Sequence, residues 1–390
     1  MKAGNTATGR LAVFAALLFL AGHALAAVPG SGPGNGPGRN DWWYTLRRGQ
    51  LMFARGDYGN ALLTFQDARR DRMAMYDGME RDLVELLSLP EVRRLGDSLD
   101  WVERFARERH FGAAAAALDE LYFRIPRETF GNSAAAALQA LGTLRYFPEA
   151  EMWIGKTYLA GGEGGLAVRQ FELALSQARL LENPAAAAEI LYQIAEVRRL
   201  RGEFPDMERA LLAVLDESVL WAGAGLGWQA GTFARDAMTR TLQLDGADRL
   251  LTLFRYENTR TLRAHRELGF FYVASGRNAR AQEHLMFAFL IQGTVMIDEL
   301  IRRRFDFAFG GMAELADEIA RDRMLSEYAE RTEFFRVIFY LGNSLFGNGH
   351  PARARELWSF LAARPDSGQW QHRAALQLQT PRVGPVIVLP

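Results

Sequence analysis

The chain has 390 residues, 49% of them apolar, and its 46 basic residues balance 46 acidic ones. That is enough apolar mass for a real core, in about two domains or one long repeat array, and the zero net charge excludes an overall field that would draw nucleic acid to it. The absence of cysteine excludes thiol catalysis, structural disulfides, cysteine-ligated metal and a lipid-bearing cysteine.

Lys2 and Arg10 precede the apolar run Leu11 to Leu20, and Ala24-Leu25-Ala26 is a small-x-small cleavage site. Residues 1–26 therefore form a secretory signal peptide, and export leaves a chain that starts near Ala27. An uncleaved N-terminal anchor is the competing reading. Residues 27–39, AVPGSGPGNGPGR, are a Pro/Gly linker that cannot bury enough apolar surface to offset its ordering entropy. No second stretch is read as a membrane span.

From residue 40 onward the apolar period is helical, in an N-terminal block over 40–222 and a C-terminal block over 232–379. Between them the cluster GAGLGW, Gly223 to Trp228, reads as a break. Residues 380–390, TPRVGPVIVLP, form an extended apolar tail, because Pro381, Pro385 and Pro390 forbid a helix. The tail either straps the last helices or offers a strand to a partner.

The blocks contain a repeated register. From Gly155, the residues seven, twelve, sixteen and nineteen positions on are Gly162, Ala167, Phe171 and Ala174. The same offsets give Gly56, Ala61, Phe65 and Ala68 from Gly49, and Gly276, Ala281, Leu285 and Ala288 from Gly269. From Gly342 they give Gly349, Ala354, Trp358 and Leu361. Weaker copies start at Val102 and Ala195. This is the pattern of a helical hairpin: small residues where two helices approach, a turn glycine in the left-handed region, and a large residue in the groove between them. Extra helices are expected over Arg72 to Leu87, Met296 to Phe309 and Met312 to Tyr328.

Competing chemistry fails on context. Gly155-Lys156-Thr157 lacks the earlier glycine of a phosphate loop, and Gly162-Glu163-Gly164-Gly165-Leu166-Ala167 lacks the flanking strands of a dinucleotide fingerprint. Gly96-Asp97-Ser98-Leu99 spells a serine-hydrolase signature, but two arginines and no strand precede it, so Ser98 reads as a helix cap. The six histidines include no pair at metal-binding spacing. His265 and His284 read as packing or surface residues. No catalytic residue, metal site or cofactor is expected.

The repeated register resembles the tetratricopeptide repeat, most clearly in IGKTYLAGGEGGLAVRQFELAL (Ile154 to Leu175) and LGFFYVASGRNARAQEHLMFAFL (Leu268 to Leu290). The resemblance implies an all-α, irregular superhelix of helical hairpins, an α-solenoid with extra or degenerate helices. It also implies a binding face lined by first helices, on which Lys156, Tyr192, Arg263, Arg266, Arg336 and Asn343 fall. Of the family's carboxylate-clamp pattern only Asn343 matches. The block NDWWYTLRRGQLMFARGDYGNALLTFQDARRDR is also similar to the start of spirochaete periplasmic repeat proteins, some of them tied to the flagellar collar. The resulting expectation is an exported, non-enzymatic scaffold whose partners are proteins of the cell envelope. Nucleic acid is not an expected partner, and the membrane is met only through a partner or an uncleaved anchor. The alternative is a periplasmic carrier of a small molecule or lipid in the inner cavity.

Overall fold

The structure, a computed structural model, describes residues 41–383 apart from 89–92, 95, 109, 124–127, 130–131 and 217–226. The signal, the Pro/Gly linker, most of the expected break at Gly223 to Trp228 and the apolar end of the tail lie outside the described residues. Among those described, the chain is helical almost throughout. The exception is a two-residue parallel pairing of Arg93–Arg94 with Glu128–Thr129.

By compactness the chain divides into two units, residues 1–44 with 74–142, and residues 45–73 with 143–390. In the first, α3 (Gly96–Arg107) packs on α4 (Phe111–Phe123), and α5 (Asn132–Leu144) follows. Val102, Ala114 and Leu118, the weak register copy, are buried there. α3 begins at Gly96, so Ser98 lies within its first turn and not in front of it; its side chain lies outside the described residues.

The second unit holds the strong hairpins. They are α1 (Asp41–Ala54) with α2 (Tyr58–Ser88), α6 (Pro148–Ala160) with α7 (Gly164–Ser176), and α8 (Ala185–Leu200) with α9 (Phe204–Leu215). After α10 (Gly227–Leu244) and α11 (Ala247–Leu253) come α12 (Leu262–Ala274) with α13 (Asn278–Arg303). Two short helices, α14 (Met312–Arg321) and α15 (Arg323–Arg331), lead to the last hairpin, α16 (Phe334–Gly347) with α17 (Pro351–Ala362), and to α18 (Gln369–Gln379). Residues of α1 and α2 contribute to both units.

The turn glycines do what the register requires. Gly56, Gly162, Gly276 and Gly349 have φ of 80°, 82°, 72° and 82°, and Gly202 of the weaker copy has 72°. The first glycine of each hairpin is a seat for a side chain. A methyl group added at Gly49, Gly155, Gly269 or Gly342 would lie 2.5 to 2.6 Å from Phe65, Phe171, Leu285 or Trp358 respectively. The residue sixteen positions on thus presses onto bare backbone, and in all four copies it is fully buried along with the alanine four before it. Gly155 to Thr157 lie inside α6, where the Thr157 hydroxyl donates to the Trp153 carbonyl at 2.8 Å. They form no phosphate loop.

Three expected elements differ. Arg72 to Leu87 is the continuation of α2, which runs 31 residues, and not a separate helix. The expected helix at Met296 to Phe309 is the end of α13, and Met312 to Tyr328 is broken at Asp322, whose carboxylate accepts from the amides of Met324 and Leu325 and caps α15. Finally, α13 is by length and composition apolar enough to cross a bilayer, contrary to the sequence expectation. It is the central core helix of this unit, with Leu285 to Ile291 at 0% exposure.

Candidate functional site

The first helices of successive hairpins, α6, α8, α12 and α16, are followed by α18 in the same role. Polar and aromatic side chains join α8 to α12, α12 to α16 and α16 to α18. Burial pushes the Lys156 ammonium of α6 below its ordinary pKa, and Glu189 of α8 partly offsets this. Lys156 Nζ lies 4.8 Å from the ring centre of Trp153, a favourable position over the negative face of the ring. From α8, Tyr192 donates to the Arg260 carbonyl at 2.8 Å and accepts from the Ala264 amide at 3.1 Å. Its hydroxyl therefore satisfies backbone groups at the start of α12, and burial pushes its pKa up to about 12. Arg263 covers the Tyr192 ring at 4.7 Å and pairs with Glu267 at 2.6 Å.

The contact between α12 and α16 is organised by Glu333. It is the one non-glycine residue in the left-handed region among those described, with φ 57°. The preceding carbonyl, on Thr332, accepts from the buried amide of Gln292 at 2.5 Å. An L residue held there costs on the order of 1–3 kcal/mol. The Glu333 carboxylate accepts from Arg336 at 2.6 Å and pairs with Arg266 at 3.2 Å. Arg336 in turn lies 4.1 Å over the Phe270 ring of α12.

Between α16 and α18 the stripe Arg336, Tyr340, Asn343 faces the stripe Trp370, Arg373, Gln377. Both follow the three-to-four spacing that keeps side chains on one helix face. Ring centres of Tyr340 and Trp370 are 5.9 Å apart, Arg373 covers Trp370 at 4.9 Å, and Gln377 donates to Asn343 at 3.4 Å. At the N-terminal ends of these helices opens a cleft of about 580 Å³, lined by Phe335, Arg336, Tyr340, Trp370, Arg373 and Glu330 among others.

Of the six sequence-derived residues, Lys156, Arg263, Arg266 and Arg336 are half-buried on the first helices α6, α12 and α16, the three arginines with carboxylate partners. Tyr192 and Asn343 require correction. They are 7% and 3% exposed, their polar groups engaged between neighbouring helices, and so they position the face without reaching a ligand. Phe270, Tyr340, Trp370 and Arg373 were missed. Extending the stripes Arg266 and Arg336 by one helical turn finds the first two.

His265 and His284 pack inside the α12–α13 hairpin. Their Nδ1 atoms are 3.2 Å apart, so one donates to the other, and Phe287 stacks on His265. Burial holds His265 well below its ordinary pKa and His284 at about 3, with nearby Arg280 and Arg235 adding to the latter. Both are neutral packing residues. Among the described residues no three His, Cys, Asp or Glu side chains gather as a metal site.

No protein-family model matches the chain. The chain is 25% identical, over 339 residues, to an uncharacterized protein of Treponema pallidum (strain Nichols), covering 87% of this chain and 90% of the relative.

Proposed function

We propose that the chain is an exported, non-enzymatic scaffold of tetratricopeptide-like hairpins that holds an envelope protein against its first-helix face. The observation that carries this reading is the row of cations over aromatic rings along that face: Lys156 on Trp153, Arg263 on Tyr192, Arg336 on Phe270 and Arg373 on Trp370. Such pairs combine apolar contact area with fixed charge, the composition typical of interface anchors. The cleft's mixture of Glu330, Glu333, Arg336, Asp366 and Arg373 suits a polar partner surface better than the enclosed apolar cavity a lipid carrier needs. The signal at residues 1–26 supports export. The resemblance of the N-terminal block to spirochaete periplasmic repeat proteins extends the proposal to the periplasmic flagellar apparatus as the envelope assembly.

The test is fractionation and capture from envelope extract. The chain should be released with the periplasmic fraction, starting near Ala27, and should retain one envelope protein at near-stoichiometric yield. Arg336→Glu with Arg373→Glu should abolish that retention while the helical content is unchanged. Cytoplasmic retention of the native chain, or capture that ignores the charge reversal, would defeat the proposal.

A further inference from the structure

The repeat register shows which edge of a first helix is closed by the hairpin before it. Counted from the origins Gly155, Ala195, Gly269 and Gly342, the residue five positions earlier is Ala150, Ile190, Ala264 or Val337, each 0% exposed. The residue one position earlier is a buried isoleucine or leucine in all four copies. Two positions after the origin, Thr157, Val197 and Ser344 are buried as well. The cover is the second helix of the preceding hairpin. Val197 of α8 lies 3.1 Å from where a Cβ would stand on Gly164 of α7. Phe271 of α12, at the same position as Val197, stacks on Phe204 of α9 with ring centres 5.8 Å apart.

No helix precedes α1 among the described residues. Its origin is Gly49, and the same three positions are Tyr44, Arg48 and Leu51. Tyr44 is 76% and Leu51 55% exposed, and Arg48 is exposed too. Arg47 lies on the same helix face, and Arg55 continues it by one turn, its amide donating to the Leu51 carbonyl at 3.2 Å. All three arginines are exposed, and none has an ion-pair partner among the described residues. The next carboxylate along the chain, Asp57, accepts from both the amide and the side chain of Asn60. Exposed arginines elsewhere do find a carboxylate, as Arg104 does in Glu108, Arg199 in Glu196 and Arg323 in Glu327.

A polar cap accounts for Arg48, since the end of a repeat array needs a polar outer face. It does not account for a bare tyrosine and a bare leucine one helical turn to either side, at positions that later hairpins pack against a helix. Apolar anchors rimmed by unpaired cations match a helix with an apolar stripe and acidic flanks. We infer that this edge of α1 is a docking surface for an acidic amphipathic helix of another protein, seated where the second helix of a preceding hairpin would lie. The docked helix extends the array at its N-terminal end. The surface shares no residue with the face proposed above to hold an envelope protein.

The test is a benzophenone amino acid at Leu51 of the full-length protein, in cells that make the native partner. Leu63, 59% exposed on α2, is the comparison, because its register position is also exposed in α7 and α17, at Arg169 and Glu356. Irradiation and mass spectrometry of the linked peptides should join position 51 to one segment of one other protein. In that segment Asp and Glu should outnumber Lys and Arg, with apolar residues at three-to-four spacing. Arg47→Glu with Arg48→Glu should cut the adduct by about tenfold or more with helical content unchanged, whereas Arg47→Lys with Arg48→Lys should keep most of it. A yield no higher than from position 63, a linked segment without excess acid, or an adduct that ignores the charge reversal would overturn the acidic helix. So would links mainly to phospholipid, within the chain or to a second copy. These variants leave Arg336 and Arg373 in place, so failure here and failure of the scaffold reading are told apart.

Discussion

The seat of Phe171 on Gly155 can be tested by adding one methyl group. In Gly155→Ala the new carbon would stand 2.6 Å from the Phe171 ring, well inside van der Waals contact, and the ring is fully buried. Overpacking of this kind costs about 1–3 kcal/mol. Against it stands the helix preference of alanine over glycine, about 1 kcal/mol. The net expectation is a loss of up to about 2 kcal/mol. Gly78→Ala in α2, where nothing lies within 4 Å, feels only the favourable term and should gain about 1 kcal/mol. The informative background is Phe171→Ala. With the ring gone, Gly155→Ala should switch sign and stabilise by about 1 kcal/mol, which gives a coupling of about 1–3 kcal/mol between the two positions. Hydrogen exchange of the α6 and α7 amides reads this locally, without assuming that two compact units melt together. If Gly155→Ala stabilises as Gly78→Ala does, or if the effect is indifferent to Phe171, the ring is not seated on the glycine and the repeat register loses its physical basis.

Further outcomes follow from the same geometry. Gly162→Ala, with open space but φ 82°, should cost about 1–2 kcal/mol from backbone conformation alone, read by the same exchange experiment. Tyr192→Phe leaves the buried Ala264 amide without its acceptor and should cost about 1–3 kcal/mol, measured as a shift in thermal melting. The buried histidines set an acid limit. Folded pKa values depressed below the unfolded 6.5 mean that the unfolded chain takes up protons first. Their contribution is whole above about pH 6.5 and falls towards pH 3 by up to about 1.4 kcal/mol per pH unit for each. His265→Leu with His284→Leu should flatten the fall of stability between pH 6.5 and 4.5; an unchanged slope would show that these groups do not titrate on unfolding.

The hairpins were legible because glycine is demanded twice in each, once for a positive φ and once for a bare surface under a large side chain, and both demands leave a fixed offset in the sequence. What connects the hairpins was less legible. Nothing local stops α2 after Arg72, so it runs on as one helix. The break before α15 does have a local signal, Asp322 in a capping position, but it interrupts an otherwise good helical period. Half of the candidate face was read from position within the repeat. The period places Tyr192 and Asn343 on first helices, but a first helix also abuts the next first helix. Polar groups at that seam are used in bonding the two together, and sequence spacing within one helix cannot tell seam from open face. Glu333 was invisible for a related reason, since the Thr332 carbonyl before its left-handed backbone is bonded by Gln292 from α13, forty residues from Thr332.

The central claim, that the first-helix face is where a partner is held, is tested most directly by placing a benzophenone amino acid at Phe270 in cells that make the native partner. Phe270 is partly buried beside Arg336 on that face, whereas Phe305, in the loop after α13, is fully exposed elsewhere and serves as the comparison. Irradiation should give one discrete adduct with an envelope protein from position 270, absent from position 305 and lost when Arg336→Glu is added. No adduct from 270, or the same set of adducts from both positions, would contradict the account.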